Sequence, residues 1–471
     1  MFSKTKTTVD PLVKIEKRRR FWRKARRRFF WTVAVVLVLH TALNIYSSIM
    51  LNREYAYIRE KGDPLRFAEL KPPSIPDNQN AAPVYLKASS TLKLSSEEKT
   101  ALNIRKSRRT PQDNVLITAA LQKNAPALEL ARQAAAMPGC QFPLNWEGDP
   151  MRLLFPHYGK LRELARLLST DAGIKNRQGD HAAALRDAKA IFGMSHHLTG
   201  EPYLIGFLVA RSVNAIGQST LAQTLDSSPL TVAQARAFQA SLPQDDWAQV
   251  FHHTLIGERS MGIYAFESIT KPLTPSMWSA LSSPDGSGIA GIFYLPVYLF
   301  WRPFLKLDQV QGLRLWKRLI DSPESQQMPR PQGFGQAQTK TIQNLPFYAI
   351  LSKILFPVFT NSTDNRDAVV VQDNQREVAL ALTSYRTIHG AYPKQLKEAE
   401  TLWGKPFPLD PYSQKPFGYR READSFVLYS VGLNRTDDGG KDRYLTGAGI
   451  GRTDPDLVWP NSLQKSHDKR N

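Results

Sequence analysis

The side chains with chemical potential in this 471-residue chain fall into two histidine–acid groupings and one oxygen-rich loop. His196 and His197 precede Glu201, and His252 and His253 precede Glu258. Neither grouping has the H-E-x-x-H spacing that puts two metal ligands on one helix face beside a base. Adjacent histidines on a helix point about 100° apart, so each pair reads first as structural or solvent-facing. No Gly-rich phosphate loop, G-x-S-x-G elbow or kinase motif set occurs. Asp245-Asp246 and Asp437-Asp438 are acidic neighbours, a poor general acid/base arrangement without facing partners. The loop Gly432 to Asp442, GLNRTDDGGKD, interleaves oxygen-bearing side chains with glycines. Such text suits a hard cation like Ca²⁺, which takes about six to eight oxygen ligands, and equally a plain solvated loop.

The elements that would carry these groups begin with a membrane signal. The formal charge is +20, but residues 1 to 28 alone hold twelve Lys/Arg against Asp10 and Glu16. That block abuts Phe29 to Leu51, which contains no charged residue. A basic flank on an apolar run is a topology signal before it is a nucleic-acid patch, so no nucleic-acid partner is expected. About 20 apolar residues of helix cross a bilayer core, and Trp31 and Tyr46 sit near the ends, where amphipathic aromatics anchor. The reading is a signal anchor with a cytoplasmic N-terminus and the rest of the chain exported. Arg26-Arg27-Arg28-Phe29-Phe30 loosely resembles a twin-arginine export signal, and positive-inside charge is the better account. His40 and Asn44, four apart within the span, mark a helix–helix contact or tolerated polar residues. Cys140 is the only cysteine, which excludes an intramolecular disulfide.

After a linker over 52–85, rich in Pro and Asn towards its end, the chain reads as a helical body over 86–321. Leu161, Leu164, Ala165 and Leu168 recur at helical spacing. Asn124 with Pro126, Gly179-Asp180, Gly200 with Pro202, and Thr231 with Gln234 are start and stop signals. GD-x-x-AAL-x-D is reminiscent of tetratricopeptide-like hairpins, but no 34-residue repeat recurs. Two interrupted apolar stretches, Gly286–Leu305 and Leu345–Thr360, read as buried or interface-lying segments ahead of a second span. Aromatics alternate with basic residues near Tyr298–Lys306, where a core or membrane-facing edge is favoured over base stacking. Ser322–Asn344, with six glutamines among Pro and Gly, reads as a flexible linker.

The C-terminal text is the most specific. Val371, Val378, Leu382, Tyr385 and Ile388 make one helical stripe, and Gly390 supplies a left-handed stop. Phe417–Arg420 and Ser425–Tyr429 alternate as antiparallel strands. In order, YR-x-x-HG-x-YP, LDP…P-x-x-Y, F-x-LYS-x-G and DDGG resemble the globular domain of the major pseudopilin of type II secretion systems, and also domains appended to membrane-anchored bacterial envelope proteins. The resemblance covers about 75 residues. It implies an α+β domain over 345–456, a long helix on a small antiparallel sheet, ahead of a polar tail over 457–471. It also implies calcium in the loop after the LYS-x-G strand, with Asn434, Asp437, Asp438 and Asp442 as ligands and the Leu433 carbonyl beside them. Three departures stand out. Asn434 replaces the usual acidic ligand, and the turn after Asp410-Pro411 is one residue longer. The prepilin processing signature is missing, because Arg28 precedes the apolar helix and no acid lies inside it.

The expected protein is therefore mainly α, with a transmembrane helix, a helical-array body and a small pseudopilin-like α+β domain. Its expected role is a tethered envelope interaction or scaffold protein with protein partners, and the resemblance links it to a secretion or pilus-like assembly. The alternative is an envelope hydrolase with dispersed residues around Glu201, His252, His253 and Glu258. Convergence of those groups in a cleft would favour the alternative.

Overall fold

A computed structural model describes residues 11–104, 108–270, 288–328, 330–441 and 456–460, and the chain falls into two compact units. The first combines residues 1–62, 266–314 and 345–354. Its main element is α1 (Pro11–Glu60), a single helix that continues well past the uncharged run. The segment from Arg18 is long and apolar enough to cross a membrane, with mean hydropathy 1.8 and 6% of its most apolar window buried. Val35 to Leu39 are exposed, whereas Ser47 and Ile58 are buried. One helix thus passes from an unpacked apolar rod to a packed element. Also in this unit are the end of α10 (Trp247–Thr270), most of α11 (Gly288–Asp321) and the start of the long helix at Ile350. Asp308 fixes that start, its carboxylate accepting Leu351 N at 2.8 Å and Ser352 N at 3.2 Å. This satisfies donors that a helix N-terminus leaves orphaned.

The second unit takes residues 63–265, 315–344 and 355–471. Its body is a succession of helices: α2 (Ala82–Thr91), α3 (Ser96–Asn103), α4 (Pro111–Lys123), α5 (Ala125–Ala135), α6 (Pro156–Gln178), α7 (His181–Thr199), α8 (Leu204–Ser227) and α9 (Val232–Ala240), followed by α10. The stripe Leu161, Leu164, Ala165 and Leu168 is fully buried. Gly179 adopts φ 83° and ends α6, and Asp180 then caps α7 by accepting Ala183 N. Thr231 and Gln234 form the expected capping box. Asn124 departs from its expected capping role. Its side chain bonds both backbone groups of Lys93, pinning the turn before α3 against α5.

Ser322–Asn344 differs from the expected flexible linker. It carries α12 (Pro323–Gln326) and α13 (Phe334–Gln343), and Arg330 between them is buried. Arg330 pairs with Asp364 and Asp367 at 2.9 Å. A guanidinium held this way outweighs the loop-like composition around it.

The long helix α14 (Ile350–His389) organises the C-terminal part. One face, with Val371, Val378 and Leu382, packs on Phe426 and Leu428 of a three-stranded antiparallel sheet. The strands are β1 (Gly418–Arg421), β2 (Phe426–Ser430) and β3 (Leu457–Val458), with Gly418 opposite Tyr429 and Tyr429 opposite Val458. The other face, with Leu380 and Ala381, shares a cluster with Ala188 and Phe192 of α7, Leu221 and Leu225 of α8, and Trp403 at the end of α15 (Leu396–Trp403). Asp373 adds polar contacts on the same side, accepting from Asn214, Gln218, Trp247 and Arg376. Residues 355–441 therefore share one core with the helical body rather than standing beyond a linker. The expected stripe fails only at Ile388, which is exposed.

Candidate functional site

A groove of about 820 Å³ lies between α5, α7 and the segment Ser241–Gln244 that follows α9. Its floor is set where α7 crosses α5. A Cβ on Gly193 would meet Ala135 O at 2.4 Å, so only glycine permits that approach. Arg186 and Lys189 are exposed on its α7 wall. His196 stands beyond them, its Nδ1 2.7 Å from Asp245 Oδ1. The hydrogen bond to Asp245 raises the His196 pKa against the opposing effect of burial. With Nδ1–H committed to the carboxylate, Nε2 can take a proton or, once protonated, donate to an anion. Ser241 lines the same groove, but its Oγ donates to Phe238 O at 2.8 Å, so no Ser–His–Asp relay is formed. The groove thus presents Arg186, Lys189 and His196, with Arg132 and the exposed Glu129 paired on its α5 side, over walls of Ala136, Met137, Ala190 and Leu242.

His197, next in sequence, is a different residue chemically. It is buried, with Nδ1 accepting Tyr85 OH at 2.9 Å and Nε2–H donating to Met137 O at 3.0 Å. Burial lowers its pKa to about 4, so it is a neutral structural histidine near pH 7.

Glu201 pairs not with either of these histidines but with His157 at 3.0 Å and with the Tyr158 hydroxyl. Phe142 stacks on the His157 ring at 4.0 Å between centroids. Burial, then the Glu201 charge, pushes the phenols of Tyr158 and Tyr203 upward. Glu258 accepts Leu204 N at 2.7 Å, holding the first turn of α8. His252 lines another cavity with Ser325, Gln326 and Arg366, and His253 is exposed. The four groups of the dispersed-enzyme reading therefore divide among a buried cluster, a helix start, a separate cavity and the surface.

Of the expected calcium ligands, Asn434, Asp437 and Asp438 lie in one loop, and Asp442 lies outside the described residues. Asn434 Nδ2 donates to Asp438 Oδ2 at 3.0 Å, and its Oδ1 accepts Thr436 N. Asp437 accepts Tyr429 OH and Gly439 N, both at 2.9 Å. An unexpected fourth member is Asp456, whose carboxylate accepts Gly440 N at 2.6 Å and Asp438 N at 3.3 Å. Burial, reinforced by the neighbouring Asp438 and Asp437 charges, raises Asp456 to about 6. The donor set is oxygen-rich and suits a hard cation in kind. In the arrangement described, these oxygens serve the loop's own N–H groups and Tyr429. No group of three or more His, Cys, Asp or Glu stands ready to hold a metal among the described residues.

Sequence reasoning missed His157, Tyr158, Arg186, Lys189 and Asp456. The partners lie 43 and 44 residues apart in the case of Glu201, a separation no local spacing rule reads. The pair Asp245-Asp246 was visible but not divisible by sequence. Asp246 caps α10 through Ala248 N and Gln249 N, which leaves Asp245 for His196. No family model matches the chain, and no curated protein or solved structure matches it either.

Proposed function

We propose that this chain is a membrane-tethered interaction protein of the bacterial envelope, with its helical body outside the inner membrane and the α5–α7 groove as its docking site. The observation that carries the reading is the groove itself: Arg186 and Lys189 are exposed beside His196 over apolar walls. Such a surface suits an acidic segment of a protein partner. The uncharged run Phe29–Leu51 of α1 supports the tether, and the basic residues before it support a cytoplasmic N-terminus. The link to a secretion or pilus-like assembly rests on the C-terminal text alone. A photo-crosslinking residue at Lys189 in intact cells should give a discrete adduct that Arg186→Glu abolishes. Adducts no stronger than those from exposed Met151 would remove the groove from this reading.

The Asn434–Asp438 loop is proposed as a calcium site on its oxygen donors and on the resemblance. Calcium should raise the melting temperature of the full-length protein in detergent, and Asp438→Ala should abolish the rise. No shift in either protein would withdraw the site.

A second reading, an envelope hydrolase, is favoured by one observation, the His196–Asp245 pair opening onto a groove. In that case His196→Ala would abolish turnover of an anionic substrate while leaving the fold intact. Under the docking reading it weakens partner crosslinking only.

A further inference from the structure

Within the membrane-bearing unit, four polar residues of α1 fall on one stripe, and α11 answers them. His40, Asn44, Ser48 and Tyr55 recur at four- and seven-residue steps. His40 Nε2 donates to Leu299 O at 2.9 Å, and its ring stacks on Phe300. Lys306 Nζ donates to Asn44 Oδ1 at 2.9 Å and to Ser48 Oγ at 2.8 Å. Gln309 Nε2 donates to Tyr55 OH at 2.8 Å. Positions rise together along both helices, so α11 runs parallel to α1.

The His40 contact has a covalent reason. In an α-helix the carbonyl of Leu299 would accept the N–H of residue 303, and residue 303 is proline, which has none. A freed carbonyl in water is solvated, but in hydrocarbon a neighbouring helix has to satisfy it. His40 does so from the middle of a run that contains no charge. Gly288 to Leu305 likewise lacks Asp, Glu and Lys, and its one Arg, Arg302, stands near its end. At about 1.5 Å per residue this segment is roughly 27 Å long, close to a bilayer core of about 30 Å. Leu299, Phe300 and Trp301 are exposed, so burial, one of the two expected readings of this stretch, does not hold for them.

We propose that α11 meets α1 inside the membrane at the level of His40, joined to it through His40, Asn44 and Ser48, with lipid acyl chains covering the exposed Leu299, Phe300 and Trp301. The proposal rests on the anchor reading of α1. The bilayer is the occupant because Leu299, Phe300 and Trp301 are exposed beside the exposed apolar run of α1, and because His40, Asn44 and Ser48 turn their polar atoms to Leu299 O and Lys306.

The test uses full-length Cys140→Ser protein reconstituted in vesicles whose acyl chains carry bromine. A fluorophore is attached to Leu299→Cys, to Val36→Cys, or to Leu154→Cys, an exposed position of the helical body. The expected result is loss of fluorescence at Leu299 matching the loss at Val36, with none at Leu154. Quenching at Val36 but not at Leu299, with Leu299 open to aqueous iodide, overturns the lipid covering of α11 and leaves the anchor standing. Absence of quenching at both overturns the anchor as well. As an independent arm, His40→Cys/Phe300→Cys should form a disulfide in the membrane under copper-phenanthroline oxidation. Failure to cross-link there, with both thiols reactive after solubilisation, overturns the pairing.

Discussion

Two regions of α7, nine residues apart, are built from the same kinds of side chain and differ in what surrounds them. At Asp187 the carboxylate is fully buried and shared between Arg132 at 2.6 Å and Lys175 at 2.7 Å, both of which also reach Asp171. Burial raises the Asp187 pKa, against the pull of Arg132 and Lys175. At His196 the ion pair with Asp245 is half-exposed on a groove, beside exposed Arg186 and Lys189. In the first region every charge is answered within the protein, so the charges hold helices together. In the second, charge remains available to something outside. Burial, not residue type, separates architecture from candidate function here.

That contrast predicts a graded set of effects. The largest belongs to Asp187→Ala, which takes the buried carboxylate from Arg132 and Lys175, leaves them Asp171 as their shared partner, and should destabilise the body by about 3 kcal/mol, the low end for breaking a buried pair. Denaturant unfolding of the detergent-solubilised protein checks this, and a loss as small as that of a surface substitution would break the comparison at its buried end. Next comes pH. His197 titrates near 4 in the folded protein and near 6.5 unfolded, so the unfolded chain binds the extra proton between those values. Stability is complete above pH 6.5 and declines as pH falls towards 4, by roughly 3 kcal/mol at most. His196→Ala should leave that decline in place, and His197→Gln should flatten it. His196 itself moves the other way: Asp245 raises it, so its contribution is whole below 6.5 and is lost as pH climbs through its folded value.

A smaller loss, about 1–3 kcal/mol, is expected for Glu201→Ala, which leaves His157 and the Tyr158 hydroxyl without their acceptor. Thermal unfolding of this variant against Glu201→Gln, which keeps an acceptor oxygen, sharpens the point. Smallest is the double variant Arg186→Glu/Lys189→Glu. Its stability should stay within about 0.5 kcal/mol of the parent while crosslinking from the groove is lost. If it unfolds the body instead, those cations belong to the architecture.

Much of the fold was legible because local signals coincided with it. Gly179-Asp180 ends one helix and caps the next, the Leu161–Leu168 stripe is core, and the β1–β2 hairpin lies within a residue of its expected bounds. Where the reading failed, a distant partner had overridden local composition. Gln- and Pro-rich text around Arg330 reads as linker until Asp364 and Asp367 bind the guanidinium. The long helix α14 shows one apolar stripe in sequence, yet Asp373 and Arg376 are held against the body on the other side by Asn214, Gln218, Trp247 and Gln239. Polar residues satisfied from other helices carry no periodicity that would announce them. The groove was illegible for the same reason: Asp245 reaches His196 across 49 residues. The loop at Asn434–Asp438 was found by its text, whereas Asp456 joins Asp438 from 18 residues further along the chain.

The account's central claim is that α1 tethers a body lying outside the inner membrane. The direct measurement is labelling of Leu154→Cys, in a Cys140→Ser background, by a membrane-impermeant maleimide in spheroplasts. Leu154 is 81% exposed, so access depends only on the side of the membrane it occupies. Labelling of sealed spheroplasts to the extent seen after lysis is the result predicted. Labelling that appears only after lysis would place the body in the cytoplasm and contradict the account.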